Sequence, residues 1–450
     1  MKRLSAIILS AVLALFCLVS CDKYDREHTL KVYNWADYID EDLLGEFEEW
    51  YEEQTGEKVK VIYQLFDINE VMLSKIEMGH DDYDVVCPSD YIIERMMRKD
   101  LLLPIDRNFG DTPDYTGNVA PFIHDLFDKI ICSEGRNAND YAVGYMWGTT
   151  GFLYNTRFVE REELSSWGSL QNPKFAGMLF MKDAFRDIYS ALLQYCRYED
   201  ICNGTVTRDS LMLDASDESI ALVEDFLKSF KDNVSGWEAD FGKEQMTKEK
   251  AWVNMSWSGD AEWSIEEAAE VGVPLDYIVP DEGSNVWFDG WVIPKYAVNV
   301  KAASYFINYM CMPENAVRNM DVIGYVSTIG GDYILDEMQD EEEHEHEAVD
   351  ASYFFGEEAD SVFLNPVMYP DKSVVDRCTL MHDSGDRTEA LLAMWSRVKG
   401  DNATSFTYIF IIAAVLLLLA GGVRKRVLKA KKKKRVNRRK YNENKRYLYN

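Results

Sequence analysis

From Leu30 onward the chain alternates between short runs of β-branched or aromatic residues and longer amphipathic stretches. LKVYNW reads as a strand. DEDLLGEFEEWYEEQTG reads as a helix with Leu43, Leu44, Phe47 and Trp50 on one face, Asp40 as its N-cap and acids in its first turn; Gly56 stops it. KVKVIYQLF, INEVMLSKIEMGH, YDVVCPS and YIIERMMRKDLL continue as strand, helix, strand and helix. This order implies right-handed crossovers and a mostly parallel sheet. In open sheets of that kind ligands gather outside the carboxyl ends of the strands. NWADY (34–38) and PSDY (88–91) therefore fall on one rim, with large rings and carboxylates where strands give way to helices.

Further along, YAVGYMWGTTGFLYN (141–155) reads as an extended crossing segment rich in aromatics and Gly. SSWGSLQNPKFAGMLF (165–180) reads as a short helix, a turn and a strand, followed by helices around 188–195 and 219–231. AWVNMSWSGDAEW (251–263) is a strand turning into a helix, and DEGSNVWFDGWVIP (281–294) a turn followed by a strand. The acidic run DEMQDEEEHEHE (336–347) reads as a solvated surface insertion rather than a metal site.

The two ends of the 450-residue chain differ from its body. Lys2 and Arg3 precede an apolar run from Leu4 to Val19, the pattern of a secretion signal (1–21) rather than a folded helix. Its end, Leu18-Val19-Ser20-Cys21, resembles the bacterial lipobox, which makes Cys21 the expected lipidation site; Asp22 resembles an inner-membrane retention signal. FTYIFIIAAVLLLLAGGV (406–423) is 18 residues without a charge, just long enough to span a bilayer as a helix. The tail, 424–450, holds fourteen Lys or Arg and the single acid Glu443, which places it in the cytoplasm beside anionic headgroups. Without that tail and Lys2 and Arg3, the chain keeps 32 basic and 77 acidic residues, a net charge of −45. Such a field repels nucleic acid and attracts polycations. The expected location is the periplasmic face of a bacterial inner membrane, anchored through the C-terminal helix and an N-terminal lipid. Among the eight cysteines, Cys87 lies in an apolar strand as a buried thiol; Cys196 and Cys202 are close enough to cross-link, which sequence alone does not decide. No His/Cys spacing resembles a zinc site.

YNWADYI, YDVVCPSDYII, GYMWGTTGFLYN, SWGSL, FAGMLFMKDAFRDIY, WSGDA, EGSNVWFDGWVIP and VIGYVS occur in one order along the chain. Together they resemble the spermidine/putrescine-binding proteins of bacterial ABC transporters, from about Leu30 to Lys399. The resemblance implies an α/β fold of two lobes, the periplasmic-binding-protein fold, with crossing hinge strands and the ligand between the lobes; the C-terminal transmembrane helix is added to it. The expected limits are 28–147 with 289–335 for lobe 1, and 148–288 with 336–400 for lobe 2.

Carried over position by position, the resemblance places Trp35, Asp37, Tyr38, Ser89, Tyr91, Asp187, Trp257, Asp260, Trp287, Asp289 and Tyr325 at the ligand. These residue types suit a polyamine. Flat rings give a flexible aliphatic chain apolar contact and cation–π attraction, while carboxylates meet its ammonium groups, which are costly to bury unpaired. Each has a plainer use: the tryptophans as core rings, Asp260 and Ser89 as helix caps. Asp260 in WSGD resembles the acid of putrescine-binding members. Ala184 and Met381 stand where spermidine-binding relatives carry polar groups. Putrescine is therefore expected to bind at least as tightly as spermidine.

Three classes of function bear on such a chain. A solute-binding module would capture putrescine or spermidine and deliver it to ABC permease subunits, with no reaction, no cofactor and no nucleic-acid partner. A tethered sensor would need a partner subunit, because the tail is too short for a signalling domain. A secreted hydrolase lacks G-x-S-x-G, H-E-x-x-H and a plausible Ser/His pairing among six histidines. The alternative within the first two classes is another small cation or an amino-acid-like ligand.

Overall fold

Strand β1 (Thr29–Trp35) lies parallel to β2 (Lys60–Phe66), in register from Thr29↔Lys60 to Trp35↔Phe66. A parallel pair needs a crossover, here helix α1 (Asp42–Thr55). Leu43, Phe47 and Tyr51 recur every four residues and form its buried face, while Leu44 and Trp50 are only partly covered. Gly56, at φ +71°, ends the helix in the left-handed region with its N–H on the Glu52 carbonyl. The N-cap is Glu41 rather than the expected Asp40. The Asp40 carboxylate takes the Asp42 N–H and an ion pair with Arg318 at 2.9 Å instead, which fixes it one residue outside the helix.

The computed structural model describes residues 25–133, 135–238, 241–339 and 346–400. Helix α2 (Asn69–Glu77) leads to β3 (Val85–Val86), which pairs with the other side of β1, and α3 (Asp90–Arg98) follows it. β4 (Leu102–Leu103) and α4 (Pro121–Lys129) precede β5 (Ala142–Asn155), a 14-residue strand buried throughout. Then come β6 (Leu179–Lys182), α5 (Phe185–Cys196), α6 (Asp217–Phe230), β7 (Val234–Glu238), β8 (Val253–Trp257) and α7 (Ser258–Glu270). β9 (Leu275–Ile278) and β10 (Ser284–Pro294) follow, with α8 (Val300–Met310), α9 (Pro313–Ile323), β11 (Val326–Ser327) and β12 (Cys378–Leu380).

The strands run in the order β2-β1-β3-β10-β5-β8-β6-β7. β5 makes this one sheet with two halves. Its Ala142–Thr149 stretch pairs antiparallel with β10, and Thr150–Asn155 pairs antiparallel with β8 and β9. The aromatic, glycine-punctuated segment read from sequence as a crossing strand is this element. The apolar interior divides the same way. One cluster collects Leu30, Val32, Phe47, Ile92, Trp147, Phe288 and Trp291; another collects Leu153, Met246, Ala251, Ala261 and Tyr277. Val349, Ala351, Phe354, Leu364 and Tyr369 join the first of these, so the chain after residue 346 returns to the β1 half of the sheet.

The signal segment with Cys21, the apolar stretch 406–423, the basic tail 424–450 and residues 340–345 of the acidic run lie outside the described residues. Among the described residues, no helix is long and apolar enough to cross a membrane, and no group of three or more His, Cys, Asp or Glu side chains is placed to hold a metal ion. Cys87 is a buried free thiol, and Cys196 and Cys202 are also free.

Candidate ligand-binding site

Asp289 lies in β10, where the register against β5 shifts between Asp289 and Gly290. This irregularity brings its backbone to Ser89 as an isolated antiparallel bridge, at the start of α3. The side chain is 7% exposed and receives two hydroxyl hydrogen bonds, from Tyr38 at 2.8 Å and Ser89 at 2.7 Å. Ser89 occupies the N-cap position of α3 but makes no side-chain capping bond; its hydroxyl is turned to Asp289. Asn69 donates to both the Ser89 Oγ and the Tyr91 hydroxyl at 3.0 Å, which orients the pair. Tyr38 is held by its own carbonyl, which accepts from Asn34 and from the Tyr145 hydroxyl, and its ring stands edge-on to Tyr145 and Tyr325. Burial pushes the Asp289 carboxyl up to about 6, against the two hydroxyls that favour its charge and with a further push from Asp187.

Asp187, in the first turn of α5, is 8% exposed and accepts the indole N–H of Trp257 at 3.0 Å. Asn285 beside β10's Trp287 donates to its backbone carbonyl. Burial raises the Asp187 carboxyl above the usual range, opposed by the Trp257 hydrogen bond. Neither Asp187 nor Asp289 makes an ion pair with a protein cation among the described residues.

Asp260 differs. It sits in the first turn of α7, and its Oδ2 meets the Lys182 ammonium at 2.7 Å, while Oδ1 meets Lys243 at 3.1 Å and the Tyr325 hydroxyl at 2.9 Å. Burial works against its charge, but the two lysines prevail and hold the carboxyl at about 2. It is not a helix cap either, since the N-cap is Trp257. The expectation that Asp260 faces a ligand amine meets this obstacle: its oxygens are already engaged by protein cations.

Two glycines make the aromatic wall possible. A Cβ on Gly259 would come 2.3–2.5 Å from the Tyr325 ring, and one on Gly148 would come 2.7 Å from the Trp287 ring. Trp287 and Tyr325 thereby pack with ring centres 5.8 Å apart. Trp35 is half-buried at the end of β1 against Phe66, with ring centres 4.4 Å apart. The indole N–H groups of Trp35 and Trp287 are buried without a hydrogen-bond partner among the described residues. Asp37 is exposed, with a left-handed backbone at φ +55° one residue before Tyr38. Tyr91 is covered on one face by the Arg186 guanidinium, 4.4 Å from its ring centre. The structure thus gathers Tyr38, Ser89, Asp187, Trp257, Asp260, Trp287, Asp289 and Tyr325 into one connected group, with Tyr91 tied in through Asn69. Trp35 and Asp37 stand on the rim beside Tyr38.

Sequence reasoning missed the cations. Lys182, Lys243 and Arg186 lie among or behind the acids, and Glu238 is a second carboxylate on Lys182 at 3.1 Å. A lysine ending an apolar strand, FMK before DAFRD, was the available signal.

The family of bacterial extracellular solute-binding proteins matches residues 47–344, and the chain belongs to it. That family binds solutes and is not a family of enzymes. The chain is 29% identical over 330 residues to the spermidine/putrescine-binding periplasmic protein of Escherichia coli, covering 72% of this chain and 84% of that protein. It is 28% identical over 340 residues to the putrescine-binding periplasmic protein of the same organism, with the same coverage of 72% and 84%. The structure of the spermidine/putrescine ABC transporter substrate-binding protein of Streptococcus pneumoniae matches with a TM-score of 0.60 at 27% identity, over 83% of this chain and 98% of that one. The mixed α/β architecture is the periplasmic-binding-protein fold.

Proposed function

We propose that the protein is the substrate-binding component of a polyamine ABC importer, which takes putrescine or spermidine between its lobes and delivers it to permease subunits. One observation carries this reading: Asp187 and Asp289 are two buried carboxylates whose side-chain hydrogen-bond donors are all neutral, with Lys182 and Arg186 acting on Asp187 only at longer range. A buried carboxylate in that state is costly, and an ammonium group from a solute offsets the cost. Trp287, Tyr38 and Tyr325 line the adjoining wall with the flat apolar surface that a methylene chain needs. The relatives named for spermidine and putrescine support the same chemistry. The lobes, 28–147 with 289–335 on one side and 148–288 on the other, would close on the solute by a hinge in β5 and β10; 349–364, expected with the second lobe, pack their apolar residues on the first.

The test is calorimetric titration of the detergent-purified full chain with putrescine, spermidine, butane-1,4-diol and 5-aminopentanoate. Binding of the amines and not of the diol is expected. A second reading, an amino-acid-like solute, draws on Arg186 and Lys182 near the acids; tighter binding of 5-aminopentanoate than of either polyamine would establish it and sink the first. We also place the protein on the periplasmic face of the inner membrane, with a lipid on Cys21, a span at 406–423 and the tail inside. Protease added to spheroplasts should remove the lobes and spare a tail epitope; loss of the epitope with membranes intact would refute this.

A further inference from the structure

Lys182 ends β6 inside the protein, with no exposed surface. Its ammonium lies 2.7 Å from Asp260, 3.1 Å from Glu238, and 4.4 Å from the centre of the Trp257 ring. Two carboxylates and an indole face are what a desolvated alkylammonium requires. The cage is itself braced. Glu238 accepts the Gly242 N–H at 3.0 Å and the Asn254 amide at 3.2 Å, and Asp260 accepts the Tyr325 hydroxyl. Trp257 joins this cage to the rest of the cleft, because the ring under Lys182 sends its N–H to Asp187.

We propose that Lys182 is a resident ammonium, filling an alkylammonium cage at the end of the cleft and so limiting the solute to two ammonium groups. The limit on the solute rests on the polyamine reading above; the cage does not. Of the three buried acids Asp187, Asp260 and Asp289, Asp260 is engaged by Lys182 and Lys243, which leaves Asp187 and Asp289 for the solute; Asp37 is exposed on the rim, where water solvates it. A diamine meets both. A triamine must place its third ammonium toward Lys182 or toward Arg186 over Tyr91, where like charge opposes it. The diamine preference expected from sequence is retained, with the opposite cause: Asp260 favours the shorter ligand by being occupied.

Lys182→Ala tests both parts on the full chain. It removes the propylammonium part of the side chain beyond Cβ and keeps Asp260, Glu238 and Trp257. n-Propylammonium chloride should raise the thermal midpoint of the variant by more than that of the wild type, and sodium chloride or propan-1-ol should not. In the variant the ratio of spermidine to putrescine affinity should rise by roughly tenfold or more, since a third ammonium gains acidic partners. Absence of selective rescue by propylammonium overturns the cage, and an unchanged affinity ratio overturns the limit on ammonium number. If Lys182→Ala does not fold alone, folding in propylammonium but not in sodium chloride supports the cage, and failure in both overturns it. Should the wild type bind no polyamine, the proposed function falls while the rescue experiment still decides the cage.

Discussion

Asp289→Asn removes one charge from the cleft with almost no change of shape, and it should pull stability and binding in opposite directions. In the folded protein, burial raises this carboxyl to about 6 from its ordinary 3.8. Each tenfold displacement of a protonation equilibrium is worth ~1.4 kcal/mol, so the charged form costs the solute-free protein roughly 3 kcal/mol at neutral pH. The amide has no such cost, but it accepts only one of the two hydroxyl bonds from Tyr38 and Ser89 unreversed, a loss of ~1 kcal/mol. The solute-free variant should therefore be more stable by ~2 kcal/mol at neutral pH. The sign follows from proton binding. Between about 4 and 6 the folded wild type holds a proton that the unfolded chain has released, so wild-type stability falls as pH rises through that window. Below it the advantage of the variant should vanish. Diamine binding should move the other way: losing a charge-assisted hydrogen bond costs ~1.5–3 kcal/mol, or about ten- to a hundredfold in affinity. Urea denaturation across pH and calorimetric titration measure the two effects. A variant less stable than wild type at neutral pH, or one that binds putrescine unchanged, would refute the reasoning.

Other consequences can be checked independently. Binding of a diamine must deprotonate Asp289, so affinity should fall as pH drops below about 6, with proton uptake by the buffer seen as binding heats that depend on buffer ionisation enthalpy; heats independent of buffer would contradict this. Trp257→Phe keeps a ring under Lys182 but deletes the indole N–H on Asp187, which should weaken diamine binding by about tenfold or more in a titration. Gly259→Ala drives a methyl into the Tyr325 ring and should destabilise the fold by ~1–3 kcal/mol, read as a lower urea midpoint; an unchanged midpoint would mean that Tyr325 yields freely.

The alternation of strand and helix from Leu30 to Arg98 was legible in the sequence, because parallel pairing with helical crossovers leaves that pattern in the residues themselves. So was the crossing strand, since a segment buried on both faces along its length is mostly apolar, aromatic or glycine. The helix boundary at Asp40 was misplaced by one residue for a tertiary reason, the ion pair to Arg318 in α9. Ser89 also reads as a cap from its neighbours, and only β10, brought alongside it, turns its hydroxyl elsewhere.

The sequence by itself determined which side chains could meet a cation: WFD and WSGD each set a tryptophan close to an aspartate. It could not distinguish the two. Asp289 faces only hydroxyls and titrates near 6, whereas Asp260 faces two ammonium groups and is held near 2. The partner that decides this, Lys182, lies 78 residues from Asp260 along the chain and 2.7 Å from it in space. A carboxylate's charge is set by its desolvation and by ions within a few ångströms. Those are properties of the packed structure, so the folded sheet, and not the motif, decided which acids remain for a solute.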